Sequence, residues 1–195
     1  MHSLFSSSGI AQYHVNGLLR ELVRQGISID ELDEWCSNVK NPDSYVDKQF
    51  FHFRFRDEEG EHFRGFANDC IMAVTLLGIF IDVVVKGTRR AVAIARRLHC
   101  FDLLRSMVSM LQSKSALVKD TLHAATQEHH IAFLALYIQS AKQKFHYTSH
   151  LGDGFRGKVS TCFTTEATHT LSKQIMLKAY KESLHVATSC DIHRM

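Results

Sequence analysis

The sequence predicts a mainly α protein: a compact helical domain with one β-hairpin and a C-terminal helical appendage. Three observations carry this prediction. Proline occurs once, at Pro42, so few positions are forced out of the helical region of backbone space. Only ten glycines interrupt the 195 residues, and apolar residues recur at intervals of three and four over most of the chain. The exception is the segment after residue 50, where apolar residues recur at every second position.

Two short helices are predicted near the N-terminus. The first has apolar residues at helical spacing and ends near Gly26, which stands where a C-capping glycine belongs. The second begins at Ser28, the first residue of a capping box in which the Glu31 side chain reaches back to the N-cap. It ends before the Asn-Pro-Asp turn at residues 41–43.

A β-hairpin is predicted at residues 51–66. Phe51, Phe53 and Phe55 alternate with polar residues, and an acidic loop at 57–61 separates them from Phe63 on the return strand. A five-residue loop places Phe55 opposite Phe63 and turns the phenylalanines toward the core. The same register directs a basic face outward, formed by His52, Arg54, Arg56, His62 and Arg64.

A series of helices is predicted after the hairpin. Asn68 or Asp69 begins an apolar helix that ends at Gly87. Its apolar part, residues 70–85, is shorter than the ~20 residues that cross a bilayer. We therefore expect a buried helix in which Asp82 finds a hydrogen-bond partner. Thr88 caps the next helix, and further helices are predicted at 101–112, 116–127 and 131–143.

Three closely spaced glycines after the predicted helices mark a domain boundary. We expect a helical core domain at residues 11–145, a glycine-containing loop at 146–164 and a C-terminal helix at 165–187. The last helix has apolar residues at helical spacing and a polar face that carries lysines.

The charge of the chain is strongly asymmetric. From Lys86 to Lys119 the sequence has eight Lys/Arg and a single acid, Asp102, which gives a net charge of about +7. Residues 1–61 carry about −5, because eleven of the twenty Asp/Glu lie there. A bipolar chain of this kind indicates an anionic partner for one face, and nucleic acid is the first candidate.

Sequence signatures of catalysis and metal binding are absent. The five cysteines are widely spaced without a CxxC pair, which predicts reduced, buried thiols in an intracellular protein. Four histidines are candidate metal ligands, namely His99, His123, His129 and His130. The sequence around them contains no HExxH motif. We interpret them as structural or surface histidines, and we predict no catalytic residue, no metal and no cofactor.

The basic residues predict binding of a duplex through its phosphates. The planar guanidinium of arginine binds phosphate oxygens with two hydrogen bonds. The outward face of the predicted hairpin lacks aromatic residues for base stacking, so double-stranded RNA fits better than a single strand. The predicted nucleic-acid-binding residues are Arg54, Arg56, Arg64, Lys86, Arg89, Arg90, Arg96, Arg97, Arg105 and Lys114.

One segment is similar to the ankyrin repeat. Residues Thr121–Ile131 resemble the ankyrin consensus, and Ala95–Val108 is a weaker match about 30 residues earlier. The resemblance implies helical hairpins over residues 88–140 and a protein-protein interaction scaffold. This is the alternative to nucleic-acid binding.

The order of the predicted elements and the position of the basic run resemble those of one viral family. Short N-terminal helices, a hairpin at 51–66 and a basic run at 86–114 in a 22.2 kDa chain are similar to the tenuivirus non-structural suppressors of RNA silencing. The resemblance implies a non-enzymatic homodimer that binds short duplex RNA in a host cell. It also implies an intracellular protein of the host cytoplasm, with the nucleus as the alternative compartment, no membrane contact and a host protein as a further partner.

Overall fold

The computed structural model describes residues 9–38, 49–112 and 119–140. Of these residues, 76% are helical and none is in a strand, which confirms the mainly α class. The β-hairpin predicted at 51–66 is therefore wrong. The predicted loop at 146–164, the C-terminal helix at 165–187 and Lys114 lie outside the described residues.

Six α-helices are present in the described part of the chain. They are α1 (Ile10–Arg24), α2 (Ile29–Asn38), α3 (Ala67–Phe80), α4 (Arg89–Ala93), α5 (Ala95–Gln112) and α6 (Lys119–Tyr137). A π-helical turn, Ile81–Val85, continues α3, and a 3-10 turn, Ile138–Ser140, follows α6. Two predicted boundaries differ: the helix break falls at Ile94, and α6 is continuous where two helices separated near residue 129 were predicted.

The ends of the first two helices follow the predicted capping signals. Gly26 has φ +81°, a left-handed conformation that glycine adopts without strain. The backbone N–H of Glu31 donates to the Ser28 hydroxyl at 3.0 Å, which is the N-cap half of the predicted capping box. Gly87, with φ +90°, follows the turn after α3 as expected. These local predictions are confirmed.

The α1 helix lies at the centre of the described core and contacts α3, α5 and α6. Residues 10–16 are all buried, including the polar side chains of Gln12, His14 and Asn16. Phe80 of α3, Phe101 of α5 and Phe133 of α6 are among the largest fully buried side chains. A buried polar side chain needs hydrogen-bond partners, so the polar residues of α1 decide what packs against this helix.

Residues 49–55 form a helical turn where the first strand was predicted. The N–H of Phe55 donates to the carbonyl of Phe51 at 2.8 Å. Asp33 of α2 caps the turn, because its carboxylate accepts the N–H groups of Phe51 at 2.8 Å and His52 at 2.9 Å. These backbone groups are satisfied by α2 and within the turn, so they need no partner strand.

The predicted inward face of the phenylalanines is only half correct. Phe51 and Phe63 are fully buried, whereas Phe53 is 58% exposed and Phe66 is 74% exposed. A helical turn rotates successive side chains by about 100°, so alternate residues do not share a face as they do in a strand. The predicted facing of the phenylalanines is wrong for this reason. One backbone contact of the predicted register is present, because the N–H of Arg64 donates to the carbonyl of Arg54 at 2.8 Å.

Side chains of α1 hold the segment that follows the turn. The Asn16 amide donates to the Arg56 carbonyl at 2.8 Å and accepts the Arg56 N–H at 3.0 Å. The Arg20 guanidinium donates to the carbonyls of Arg56, Asp57 and Glu58. Residues 56–58 are thus hydrogen-bonded to a helix and need no neighbouring strand.

One stretch of the described residues, Ala67–Val85, is long and apolar enough to cross a membrane. Length and composition alone support that assignment, and the core helix of a soluble protein meets the same criteria. In this protein α3 contacts α1, α2 and α5. The absence of membrane contact stays a prediction.

Candidate nucleic-acid interface

Two of the predicted phosphate-binding residues belong to an ion-pair network. Lys86 lies 2.7 Å from Asp82 and 3.2 Å from Asp102. Arg105 lies 2.7 Å from the same Asp82 and 3.2 Å from the same Asp102. Two cations and two carboxylates neutralise each other, so Lys86 and Arg105 contribute little net charge to an interface.

This network gives Asp82 the hydrogen-bond partner that the sequence predicted. The hydrogen bond from Arg105 lowers the pKa of Asp82 to about 2, against an opposing effect of burial and with a further contribution from Lys86. The Arg105 side chain reaches Asp82 across Gly78, where an added Cβ would collide with the guanidinium. A glycine at this point of α3 therefore allows α5 to place its arginine beside Asp82.

Arg97 is also paired within the protein. Its guanidinium lies 3.4 Å from Glu21 of α1 and 5.3 Å from the centre of the Tyr137 ring. It lines a cavity of about 240 Å³ together with Arg20, Arg24, Glu21 and Glu59. The two glutamates offset most of the positive charge of the arginines that line this cavity, so Arg97 does not join the exposed basic face.

The three arginines of the predicted hairpin do not form a common outward face. Arg54 lies 3.5 Å from Asp69 and stacks over Phe50 at 4.4 Å. Arg56 is half-buried and its backbone is held by α1. Of the three, only Arg64 is exposed.

Four of the predicted residues are exposed and have no acidic partner among the residues that the structure describes: Arg64, Arg89, Arg90 and Arg96. Arg89 and Arg90 begin α4, and Arg96 is the second residue of α5. Neither helix has an acid in its first turn. Apart from Arg64, the interface predicted from ten residues is therefore reduced to Arg89, Arg90 and Arg96 in two consecutive helices, here called the α4–α5 arginine group.

Arg89 and Arg96 occupy positions that helix electrostatics disfavours, whereas Arg90 also lies in the last turn of the five-residue α4. The N-terminal end of a helix carries a partial positive charge, and a cation in its first turn is disfavoured by about 0.3–1 kcal/mol at low ionic strength. Acidic residues are the usual occupants of the first turn. At the start of α5 the Arg96 side chain and the helix dipole both contribute positive potential.

The sequence could show part of this charge distribution. Asp82 and Lys86 have the i, i+4 spacing of a helical ion pair, so their neutralisation was visible in the sequence. Asp102 and Arg105 have the i, i+3 spacing of a second such pair, but the other partner of Arg105 was not visible, because Asp82 lies 23 residues away. Glu21, the partner of Arg97, lies in another helix at the far end of the sequence.

No protein-family model, no curated protein and no solved structure matches this chain. Within the chain itself, residues Thr121–Ile131 lie inside the continuous helix α6. An ankyrin repeat has two short helices in about 33 residues. The turn that the ankyrin resemblance implies at His129 is absent from this helix.

Proposed function

We propose that this protein binds double-stranded nucleic acid, RNA in the first place, through phosphate contacts of Arg89, Arg90 and Arg96. One observation carries the proposal: three exposed arginines of two consecutive helices have no acidic partner in the described residues, and two of them, Arg89 and Arg96, lie in first turns where a cation costs stability. Residues that lower stability at the surface are typical of binding sites, because the interaction they make is with a partner outside the chain.

Arginine at these positions supports phosphate binding in two ways. Its five N–H donors form a rigid fork that matches two phosphate oxygens. The unpaired N–H groups of a helix start and the dipole add favourable potential for the same anion. Residues 89–96 include no aromatic side chain for base stacking, which favours a duplex backbone over a single strand.

The proposed biological role rests on this binding and on the part of the resemblance that is left without the hairpin, namely the N-terminal helices and the basic run at 86–114. We propose that the protein sequesters short duplex RNA in a host cell without enzymatic activity, and that it acts as a homodimer. A second copy of the α4–α5 arginine group would double the number of phosphate contacts on one duplex. The salt dependence of binding grows with that number, because each contact releases counterions.

The test is binding of a labelled short RNA duplex, followed by fluorescence anisotropy between about 50 and 200 mM salt. The Arg89→Ala/Arg90→Ala/Arg96→Ala variant should bind weakly, and the magnitude of its salt slope should fall by somewhat under one for each arginine that contacts phosphate. Arg24→Ala is the matched single-charge control for Arg96→Ala, because Arg24 is exposed on α1 and paired with Glu21 and Glu59.

The proposal fails if the triple variant is folded and binds the duplex as the parent does. It also fails if Arg24→Ala weakens binding as much as Arg96→Ala, since binding would then follow net charge alone. Duplex DNA and single-stranded RNA, measured in parallel, identify the preferred nucleic acid. A gel-shift series with the same three ligands gives an independent readout of complex formation.

The alternative, a protein-interaction scaffold, is favoured by one specific feature of α6. Ile131 of α6 is 70% exposed, and Ile138, the first residue of the 3-10 turn that follows this helix, is 73% exposed. An apolar partner at these isoleucines would bind with little salt dependence, unlike a duplex. Ile131→Asp should abolish such an interaction and leave duplex binding unchanged.

A further inference from the structure

Three helices bring a cysteine and two histidines together in the core. His14 of α1, Cys100 of α5 and His129 of α6 are each 0% exposed. Their potential ligand atoms all lie within 4.8 Å of one another. The Nδ1 atom of His14 is 3.2 Å from the Nε2 atom of His129. A sulfur and two imidazole nitrogens thus converge on one point of the interior.

The surroundings of this cluster are aromatic. The His14 ring centre lies 5.6 Å from that of Phe101, 5.7 Å from Phe133 and 5.3 Å from Tyr137. Burial lowers the pKa of His14 well below its ordinary value, helped by His129 and Arg97, and lowers the pKa of His129 to about 3. Both imidazoles are therefore neutral at physiological pH, the form in which histidine binds metal ions.

We propose that His14, Cys100 and His129 form a buried binding site for a soft, thiophilic metal ion. Two imidazole nitrogens bound to one such ion at about 2.0–2.1 Å are separated by about 3.3–3.6 Å at ordinary bond angles. The 3.2 Å between the two facing nitrogens is within a few tenths of an ångström of that separation. Thiolate and imidazole are the ligands that select copper(I) and zinc.

A hydrogen bond between the two histidines is the competing interpretation. It would use one nitrogen of each ring and leave Cys100 without a role in the cluster. The opposite nitrogens, Nε2 of His14 and Nδ1 of His129, are buried without a hydrogen-bond partner in the part of the chain that the structure describes. These two atoms stay unpaired in both interpretations, because the metal would bind the facing nitrogens. What favours the metal is the third ligand: the ligand atoms of Cys100 and both histidines lie within 4.8 Å of one another.

Charge balance selects monovalent copper over zinc. The Cys100 thiol must lose its proton to solvent when the sulfur–metal bond forms, so the protein supplies one negative charge. Copper(I) then gives a neutral site, whereas Zn²⁺ leaves one uncompensated positive charge in an apolar core that already feels Arg97. Three ligands also suffice for copper(I), whereas structural zinc sites have four.

The test uses the full chain under anaerobic, reducing conditions with copper(I) delivered from a competing chelator, and Zn²⁺ in a parallel arm. We expect one equivalent of copper(I) per chain and X-ray absorption that shows one sulfur and two nitrogen ligands. At a free ion concentration about 100-fold above Kd, the Tm should rise by about 5–10 °C.

Cys100→Ser should abolish this binding, and Cys36→Ser is its matched control. Both thiols are buried, and burial raises the pKa of each to about 12. The inference is overturned if the parent binds neither ion, if the absorption spectrum shows sulfur ligands alone, or if Cys100→Ser binds as the parent does. If Cys100→Ser does not fold, the X-ray absorption spectrum of the parent still shows whether one sulfur and two nitrogens bind the ion. Zinc bound by one sulfur and two nitrogens would support the site and overturn the preference for copper.

Discussion

Arg105 donates a hydrogen bond to Asp82 at 2.7 Å, from one long helix to the turn that ends another. The same carboxylate accepts Lys86, and Asp102 completes the network. The most basic part of the sequence is therefore partly neutralised by its own fold. What remains for a partner is the α4–α5 arginine group, which is smaller than the sequence run indicates but free of ion pairs with the described acids.

Asp82→Asn should lower stability at neutral pH and have no effect in strong acid. The pKa of Asp82 is lowered from 3.8 to about 2 by the hydrogen bond from Arg105. A lowered folded-state pKa means that the stabilisation is complete above about pH 4 and is lost as pH falls through about 2. Because the carboxylate is 39% exposed, we expect a loss of only about 0.2–1 kcal/mol.

Urea unfolding of the parent and of Asp82→Asn at pH 7, and again near pH 2, measures this difference. Asp57→Asn is a suitable control, since Asp57 is exposed and its side chain makes no ion pair with the described residues. A stability difference between parent and Asp82→Asn that is the same at both pH values would show that the ion pair is not its cause.

Substitutions at Arg96 should move stability and binding in opposite directions. Arg96→Gln removes a cation from the first turn of α5, and Arg96→Glu replaces it with the charge that the helix dipole favours. We expect the free energy of unfolding to rise from Arg to Gln to Glu by about 0.3–1 kcal/mol in total. Duplex affinity should fall in the same order, because a phosphate contact is lost and then replaced by repulsion.

Thermal unfolding and fluorescence anisotropy of these three proteins check the ordering. If Arg96→Glu both destabilises the fold and weakens binding, the loss of binding has a structural explanation. Parallel loss would contradict a role for Arg96 at the interface. Opposite trends would support this role, because an arginine that lowers the stability of the fold is not explained by stability. Its contribution to duplex affinity would then explain its presence.

Local signals in the sequence were sufficient for the helix ends. Gly26 and Ser28 act through residues within one turn of themselves, and the structure confirms both. The segment at 51–66 was mispredicted because the alternation of its residues is a local pattern. The residues that hydrogen-bond its backbone lie far away in the sequence. Asp33 and Asn16, 18 and 40 residues away, satisfy the backbone groups that a second strand would have taken.

The buried cluster of His14, Cys100 and His129 could not be predicted from spacing. The two histidines are 115 residues apart, and the three residues come from three helices. Metal-site motifs recognisable in sequence place ligands a few residues apart on one turn or helix. The prediction that His129 is structural considered its sequence neighbours, but its ring contact is with His14.

Phe51→Ala should destabilise the protein far more than Phe53→Ala. Phe51 is fully buried, and removing its ring leaves a cavity at a cost of about 3–5 kcal/mol. Phe53 is 58% exposed, so its loss should change stability by no more than about 0.5 kcal/mol. The two substitutions remove the same atoms two residues apart, and each is the control for the other. Similar urea midpoints for the two variants would contradict the helical turn at 49–55.

Asp33→Ala should destabilise the protein through the backbone of the turn at 49–55. The Asp33 carboxylate is only 4% exposed and accepts two N–H groups, those of Phe51 and His52. Burial raises its pKa, while the two backbone hydrogen bonds act in the opposite direction. Removing the carboxylate leaves the buried N–H of Phe51 without an acceptor, which costs about 1–3 kcal/mol.

Asp33→Asn separates hydrogen bonding from charge, because its amide keeps one oxygen acceptor in the same place. It should lose less stability than Asp33→Ala. Glu34→Ala is the control for the loss of one negative charge, since Glu34 is the exposed neighbour on α2. Urea unfolding with an unchanged m-value measures all three variants. If Asp33→Ala is no less stable than Glu34→Ala, the carboxylate does not hold the turn, and residues 49–55 must be ordered by the packing of Phe51 alone.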